Sequence, residues 1–214
     1  MLEVIQFTLG PVSTNTYLAA DRERSQAVVI DPAWEGGYIF QEADKAGLDI
    51  VGIWLTHAHF DHYAGASELL GRLGPAAEDS LPYGLHPEDL PLWERKGGSL
   101  LFGFDFQQGP EPNLSFRHGD NLELGSLTFE VRYAPGHSPG HVMFYCPAAE
   151  VLFSGDVIFR QGIGRTDLPG GDHQTLIRSI QREVLTLPDE TVIYPGHGPQ
   201  TTVGEERRRN PFLS

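Results

Sequence analysis

Four side chains capable of holding metal crowd into one heptapeptide, Thr56-His57-Ala58-His59-Phe60-Asp61-His62. Imidazoles and carboxylates together suit Zn²⁺, Fe²⁺ or Mn²⁺. Along an extended segment, side chains return to the same face every second residue, so His57 and His59 can reach one point. Asp61 and His62 lie past that segment and are free to swing toward a second point. Four ligands this close would crowd a single tetrahedral ion and leave little room for water, so two ions, each completed from elsewhere, is the more reasonable geometry. Zinc is the first expectation, with iron and manganese as alternatives. The chain's one cysteine, Cys146, lies in an apolar run where an inert buried thiol is the default, which excludes a Cys-type structural zinc site.

Residues to complete such a site stand in three further places. Ala134-Pro135-Gly136-His137 puts a histidine in a tight loop after an apolar run, and Tyr194-Pro195-Gly196-His197 repeats the arrangement. Phe153-Ser154-Gly155-Asp156 puts a carboxylate at the end of another apolar run. Alone, each has a bland reading: H-x-H as a polar strand edge, a strand-end Asp as a turn residue, a lone His as a hydrogen-bonded surface group. The four together, each at a predicted strand end, are not what scattered structural residues produce.

The elements that must carry these residues are legible in the patterning. Leu2–Leu9, Thr16–Ala20 and Ala27–Asp31 read as short strands separated by turn residues. A helix is predicted over Tyr38–Ala46, closed by Gly47, and Ile50–Thr56 is apolar enough to be a strand buried on both faces. The stretch Gly74–Gly119 has no clean period and reads as a long connection with one helix near Pro87–Lys96, placed to act as a substrate wall. Strands resume at Leu127–Ala134, Val142–Cys146, Val151–Ser154 and Thr191–Tyr194. The clearest helix is Gly171–Leu187, with Leu176, Ile177, Ile180, Val184 and Leu187 on one stripe. Two half-sheets packed face to face with helices outside make an α/β, four-layered αββα sandwich, with the polar strand ends gathered at one rim.

Composition removes several alternatives. Fifteen basic against 29 acidic residues leave a net charge of −14 over 214 residues, which disfavours nucleic acid and anionic membranes as partners. The start, Met1-Leu2-Glu3-Val4-Ile5-Gln6-Phe7, has no basic region and no long apolar run, and no stretch approaches the ~18 residues of a membrane span. A cytoplasmic location is therefore expected. Oligomeric state is not readable.

With these motifs in place, the sequence resembles the metallo-β-lactamase superfamily, and within it the short glyoxalase II-like hydrolases, over nearly its whole length. The likeness extends to Asn15-Thr16-Tyr17, Asp31-Pro32, the stretch from Ile163 to Asp172 and the tail Asn210-Pro211-Phe212-Leu213. The resemblance implies the αββα fold. It implies one metal on His57, His59 and His137, a second on Asp61, His62 and His197, and Asp156 bridging both. Glyoxalase II itself carries an additional C-terminal helical region that helps hold glutathione; residues 1–214 are expected to be one domain without it. Lactamases of the best-known zinc subclass carry cysteine where Asp156 stands, so antibiotic hydrolysis is not expected.

Two ions with Asp61, Asp156 and a bridging hydroxide carry a net charge of about +1, which keeps hydroxide available near neutral pH. Asp61 and Asp156 are the residues expected to act in catalysis, Asp61 by orienting the nucleophile. The resemblance implies a small acyl thioester such as S-D-lactoylglutathione, or a related acyl substrate; a thiol leaves without a dedicated general acid, which fits a thioester and leaves esters and lactones open. The rival is an oxidoreductase of the persulfide dioxygenase type, with one iron on a His57, His59, Asp156-type set. Among the remaining histidines, His86 and His118 read as surface groups and His141 as a possible neighbour of a ligand. Arg165 and Asp167 read as an ion pair fixing their loop, with substrate contact as the alternative. Arg207-Arg208-Arg209 reads as a solvated face, and Phe102, Phe104 and Phe106 as packing.

Overall fold

The computed structural model describes residues 1–213, so Ser214, the last residue of the expected domain, lies outside the described residues. Six strands form the first sheet in sequential order: β1 (Leu2–Leu9), β2 (Thr14–Asp21), β3 (Gln26–Ile30), β4 (Asp49–Trp54), β5 (Tyr83–Leu85) and β6 (Leu114–Ser115). β1 to β3 pair antiparallel, and β3 to β6 pair parallel. The second sheet contains β7 (Asn121–Leu124), β8 (Leu127–Tyr133), β9 (Val142–Cys146) and β10 (Val151–Gly155). A small hairpin, β11 (Ile158–Phe159) and β12 (Gly162–Ile163), precedes its last two strands, β13 (Val192–Pro195) and β14 (Thr201–Thr202). Their order is β14-β13-β10-β9-β8-β7, with β10 and β13 parallel and the other pairs antiparallel.

Period-two alternation makes the layers. Tyr17 and Ala19 of β2 face the second sheet, where Phe129, Val131, Phe144 and Phe153 meet them with Trp54. Leu18 and Ala20, one residue out of step, face the other way onto helices α1 (Gly36–Lys45) and α2 (Ala66–Leu73) through Ile39, Ala43 and Leu69. Across the molecule, Met143, Tyr145 and Leu152 turn outward onto α5 (His173–Glu183) and α6 (Val203–Arg209) through Leu176, Ile180 and Val203. A strand covered on both faces has no polar side to spare, which is why β2 is buried at every position. The expected αββα sandwich is the observed fold.

Element boundaries follow local chemistry. Asp172 caps α5 by accepting from the Thr175 N–H at 2.7 Å, so the helix starts two residues later than Gly171. Gly47, at φ 66°, takes the left-handed turn just after α1. The stretch Gly74–Gly119 departs from expectation. It holds α3 (Pro75–Ser80) and α4 (Leu90–Glu94), and its β5 and β6 extend the first sheet. Strands of three and two residues are too short to show a period; the neighbouring ladder, not their own propensity, makes them strands. Among the described residues no helix is long and apolar enough to cross a membrane.

Candidate metal centre

Four strand ends build the site. Three residues beyond β4 the chain reaches His57, and a single 3₁₀ turn over Phe60–His62 swings Asp61 and His62 back toward it. Loops after β8, β10 and β13 deliver His137, Asp156 and His197. All seven residues meet in three overlapping groups: His57–His59–His137, His57–His62–Asp156 and Asp61–His62–His197. Within each group the potential ligand atoms lie within 4.8 Å of one another.

In the first group, His59 Nδ1 lies 2.8 Å from His137 Nε2, which lies 3.2 Å from His57 Nε2. Bonds of about 2.0–2.1 Å set two ligands of a tetrahedral ion about 3.3 Å apart, so this spacing fits a small divalent ion. In the Asp61–His62–His197 group, Asp61 Oδ2 lies 3.3 Å from His197 Nε2 and 3.7 Å from His62 Nε2. Asp156 stands between them, with Oδ2 3.5 Å from His137 Nε2 and Oδ1 3.4 Å from His62 Nε2. Both His62 Nε2 and Asp156 Oδ1 are buried with no hydrogen-bond partner, a costly arrangement unless a cation completes them. A Cβ on Gly196 would come within 2.2 Å of Asp156 Oδ1 and 2.7 Å of His62 Cε1. Glycine there leaves the cradle open. An all-nitrogen and oxygen donor set with two orphaned buried atoms fits divalent ions.

Electrostatics agree. Burial opposes a charge on His62, yet Asp156, Asp61 and Asp31 around it hold its pKa well above the ordinary value. Burial also pushes against ionised Asp61 and Asp156. His62 and the other histidines nonetheless hold Asp61 down to about 2 and Asp156 lower still. The two ionised carboxylates draw positive charge into the pocket; His62 carries it as a proton, which a metal ion on its Nε2 would displace. His57, by contrast, is driven well down by burial and by its histidine neighbours, and His59 falls to about 3 for the same reasons. Both are neutral, as a ligand must be.

Several residues that orient the ligands escaped the sequence reading as site residues. Asp31 accepts from Thr56 N at 2.7 Å and Thr56 Oγ1 at 2.6 Å, and from His62 Nδ1 at 2.9 Å. His137 Nδ1 donates to the Arg165 carbonyl at 2.7 Å. Both contacts leave Nε2 facing the centre. Thr14 Oγ1 donates to Asp61 Oδ2 at 2.9 Å. Asn15 Nδ2 donates to the carbonyls of Pro195 and Gly198, tying the His197 loop to the opposite sheet. Asp89, fully buried, accepts from Ala58 N at 2.9 Å, Ser138 Oγ at 2.7 Å and Gly140 N at 2.6 Å. It thereby clamps the H-x-H loop to the His137 loop. Asp31 had a usable signal, since it too ends an apolar strand; Asp89 had none, because it sits in the aperiodic stretch.

The remaining candidates divide as follows. His141 is buried, stacks on His57 with ring centroids 4.7 Å apart, and accepts from Asp156 N at 3.0 Å. It braces the centre without joining a ligand group. His118 and His173 are exposed, whereas His86 is half-buried and stacks on Tyr133, which corrects its reading as a surface group. Cys146 is buried. Arg165 and Asp167 form a two-point ion pair at 2.7 Å on each arm. Arg207 and Arg208 both pair with Asp189. Phe104 and Phe106 pack against Trp34 and Phe102 against Phe60, as expected; Phe102 is also 45% exposed and lines a cavity shared with His59.

Comparisons with known proteins bear on this geometry. The metallo-β-lactamase superfamily pattern matches residues 9–197. The chain is 38% identical to a probable metallo-hydrolase, YqgX, of Bacillus subtilis over 96% of this chain and 95% of that one. It is 37% identical to hydroxyacylglutathione hydrolase GloC of Haemophilus influenzae over 100% and 98%. It is also 35% identical to human persulfide dioxygenase ETHE1 over 95% and 73%. Among solved structures, the di-iron-bound form of TTHA1623 superposes with a TM-score of 0.87 at 43% identity, over 98% of this chain and 100% of that one. The B3 metallo-β-lactamase BLEG-1 superposes with a TM-score of 0.89 at 37% identity, over 99% and 100%. The matched span takes in all seven residues of the centre, and the chain belongs to the metallo-β-lactamase superfamily.

Proposed function

We propose that the protein is a dinuclear metal-dependent hydrolase of small acyl thioesters, of the kind that hydroxyacylglutathione hydrolase cleaves. His57, His59 and His137 would hold one ion, Asp61, His62 and His197 the other, and Asp156 both. The observation that carries this reading is the position of Asp156, which lies between the two histidine groups, with Oδ1 3.4 Å from His62 Nε2 and Oδ2 3.5 Å from His137 Nε2 and 3.6 Å from His197 Nε2. Similarity to GloC over nearly the full length of both chains supports the thioester class. The di-iron form of TTHA1623 makes iron as reasonable an occupant as zinc.

Two divalent ions, when bound, supply Lewis acidity and lower the pKa of water between them. The chain's own residues do the positioning. Asp61 is ionised and holds Thr14 and His197 on Oδ2, so its role is to orient water rather than to take its proton. Asp31 and the Arg165 carbonyl keep His62 and His137 turned with Nε2 inward. Overall, water oxygen bonds to the carbonyl carbon, the C–S bond breaks, and a carboxylate, a thiol and one proton result. The thiolate leaves unaided because its pKa is about 8.5, so the reaction asks no general acid of Asp61 or Asp156, both of which are held ionised.

The second reading, a one-iron persulfide dioxygenase, is favoured by the 35% identity to ETHE1. His62→Ala separates the two. For the hydrolase it should remove about one metal equivalent and lower kcat by orders of magnitude, since stabilising developing charge is worth several kcal/mol. For the dioxygenase it should leave one iron and most oxygen uptake on glutathione persulfide. Retained hydrolysis with full metal content would contradict the two-ion reading. A β-lactam belongs in the substrate panel because of the similarity to BLEG-1.

A further inference from the structure

A cavity of about 520 Å³ opens beside His59 and takes none of Asp61, His62, Asp156 or His197 into its wall. It therefore meets the centre only on the His57–His59–His137 side. Its walls are apolar: Leu92, Leu100, Leu101, Phe102, Pro139 and Leu168. Leu100, Leu101 and Phe102 are 69%, 73% and 45% exposed, three consecutive large apolar residues left to solvent at its mouth. Apolar surface of that kind, continuous with a reactive centre, marks a ligand site, and the volume is that of a small-molecule pocket. Glu88 in the wall is engaged by the Tyr133 hydroxyl at 2.7 Å, so Arg95 is its one charge without a partner among the described residues.

We infer that this cavity holds the acyl group of the substrate and selects apolar acyl chains over short polar ones. The inference rests on the thioester reading and names its substrate class. A polar, charged thiol carrier would strip water from its own groups against these walls and find few partners there. An aliphatic or aryl acyl group finds mostly surface it can bury, with Glu88 and Arg95 the charged side chains in the wall. Hydrolysis then places the carboxylate product's chain in the cavity and releases the thiol on the side of Asp61 and His197.

The metal-loaded full chain should be assayed on acetyl, butyryl and hexanoyl thioesters of one small neutral thiol, N-acetylcysteamine. The expected result is a rise in kcat/KM of about fourfold per added methylene until the cavity is filled, from the usual transfer energy of a buried CH₂ group. Phe102→Ser and Leu168→Ser should each flatten that slope while metal content, checked on the same preparations, stays at the wild-type level. Hydrolysis of every ester at a rate independent of acyl length would overturn the cavity assignment and leave the thioesterase reading standing. No hydrolysis of any thioester by fully loaded protein would instead remove the reading on which the inference rests. If Leu101→Asp dissociates a dimer and leaves the acyl slope untouched, the apolar mouth is a subunit contact and the inference is wrong.

Discussion

Asp31 Oδ2 accepts a hydrogen bond from His62 Nδ1 at 2.9 Å, and that single contact decides which nitrogen of His62 faces Asp156. The carboxylate reaches it from a strained position, since Asp31 has φ of 50°, a conformation few residues but glycine adopt. Thr16 helps hold the turn by donating to the Asp31 carbonyl at 2.6 Å. Asp31→Ala should weaken metal binding at the His62 site by about 10–100-fold, the usual cost of losing a ligand's orienting partner. Asp31→Asn can still accept from Nδ1 and should lose less. Titration against a competing chelator measures both, and unchanged affinity in the alanine variant would count against the orienting role.

Asp156→Ala should be the most damaging of the single ligand changes. Among the described residues, no other carboxylate pairs with both His137 and His62. Metal content should fall toward zero rather than by one equivalent, and turnover should be abolished. His197→Ala, in contrast, should retain about one equivalent. Elemental analysis of the two variants side by side makes the comparison, and two metals with near-normal turnover in Asp156→Ala would refute the bridging position.

Asp89→Ala tests the clamp between the two loops. It would leave the Ala58 and Gly140 N–H groups and the Ser138 hydroxyl buried without an acceptor. At roughly 1–3 kcal/mol for each unsatisfied buried group, a loss of about 3 kcal/mol or more is expected. Urea unfolding of chelator-treated protein isolates this from metal binding. A change below about 1 kcal/mol would mean that water replaces the carboxylate.

Stability should also respond to acid through Asp21. Its carboxylate accepts from Ser126 N at 2.7 Å, Ser126 Oγ at 2.8 Å and Glu23 N at 3.1 Å, and those bonds hold its pKa below the ordinary 3.8. A lowered folded-state pKa adds stability that is complete above the unfolded value and is lost as pH falls through the folded one. Between pH 5 and about 3, wild type should therefore lose more stability than Asp21→Asn. Urea midpoints of both proteins across that range check the sign, and parallel curves would exclude the contribution.

The sequence by itself determined which side chains gather at the candidate centre and the architecture that presents them. H-x-H-x-D-H, the two P-G-H loops and Gly155-Asp156 each follow an apolar strand, and the side-chain period of a strand and the sharp turns of Pro and Gly are local properties. Runs such as Ile50–Thr56, apolar on both faces, announce a sheet covered twice, hence four layers. Tertiary structure alone decided what orients the ligands. Asn15 reaches Pro195 across the interface of the two sheets, and Asp89 reaches Ser138 from a stretch with no period. A single polar side chain that satisfies a distant backbone group has the same local sequence as one exposed to water. The same limit hid β5 and β6, whose few residues become strands only because β4 offers β5 an edge and β5 offers one to β6. It also hid the role of Phe102, since whether an alternating aromatic packs inward or lines a cavity depends on the loop's path, which contacts far along the chain set.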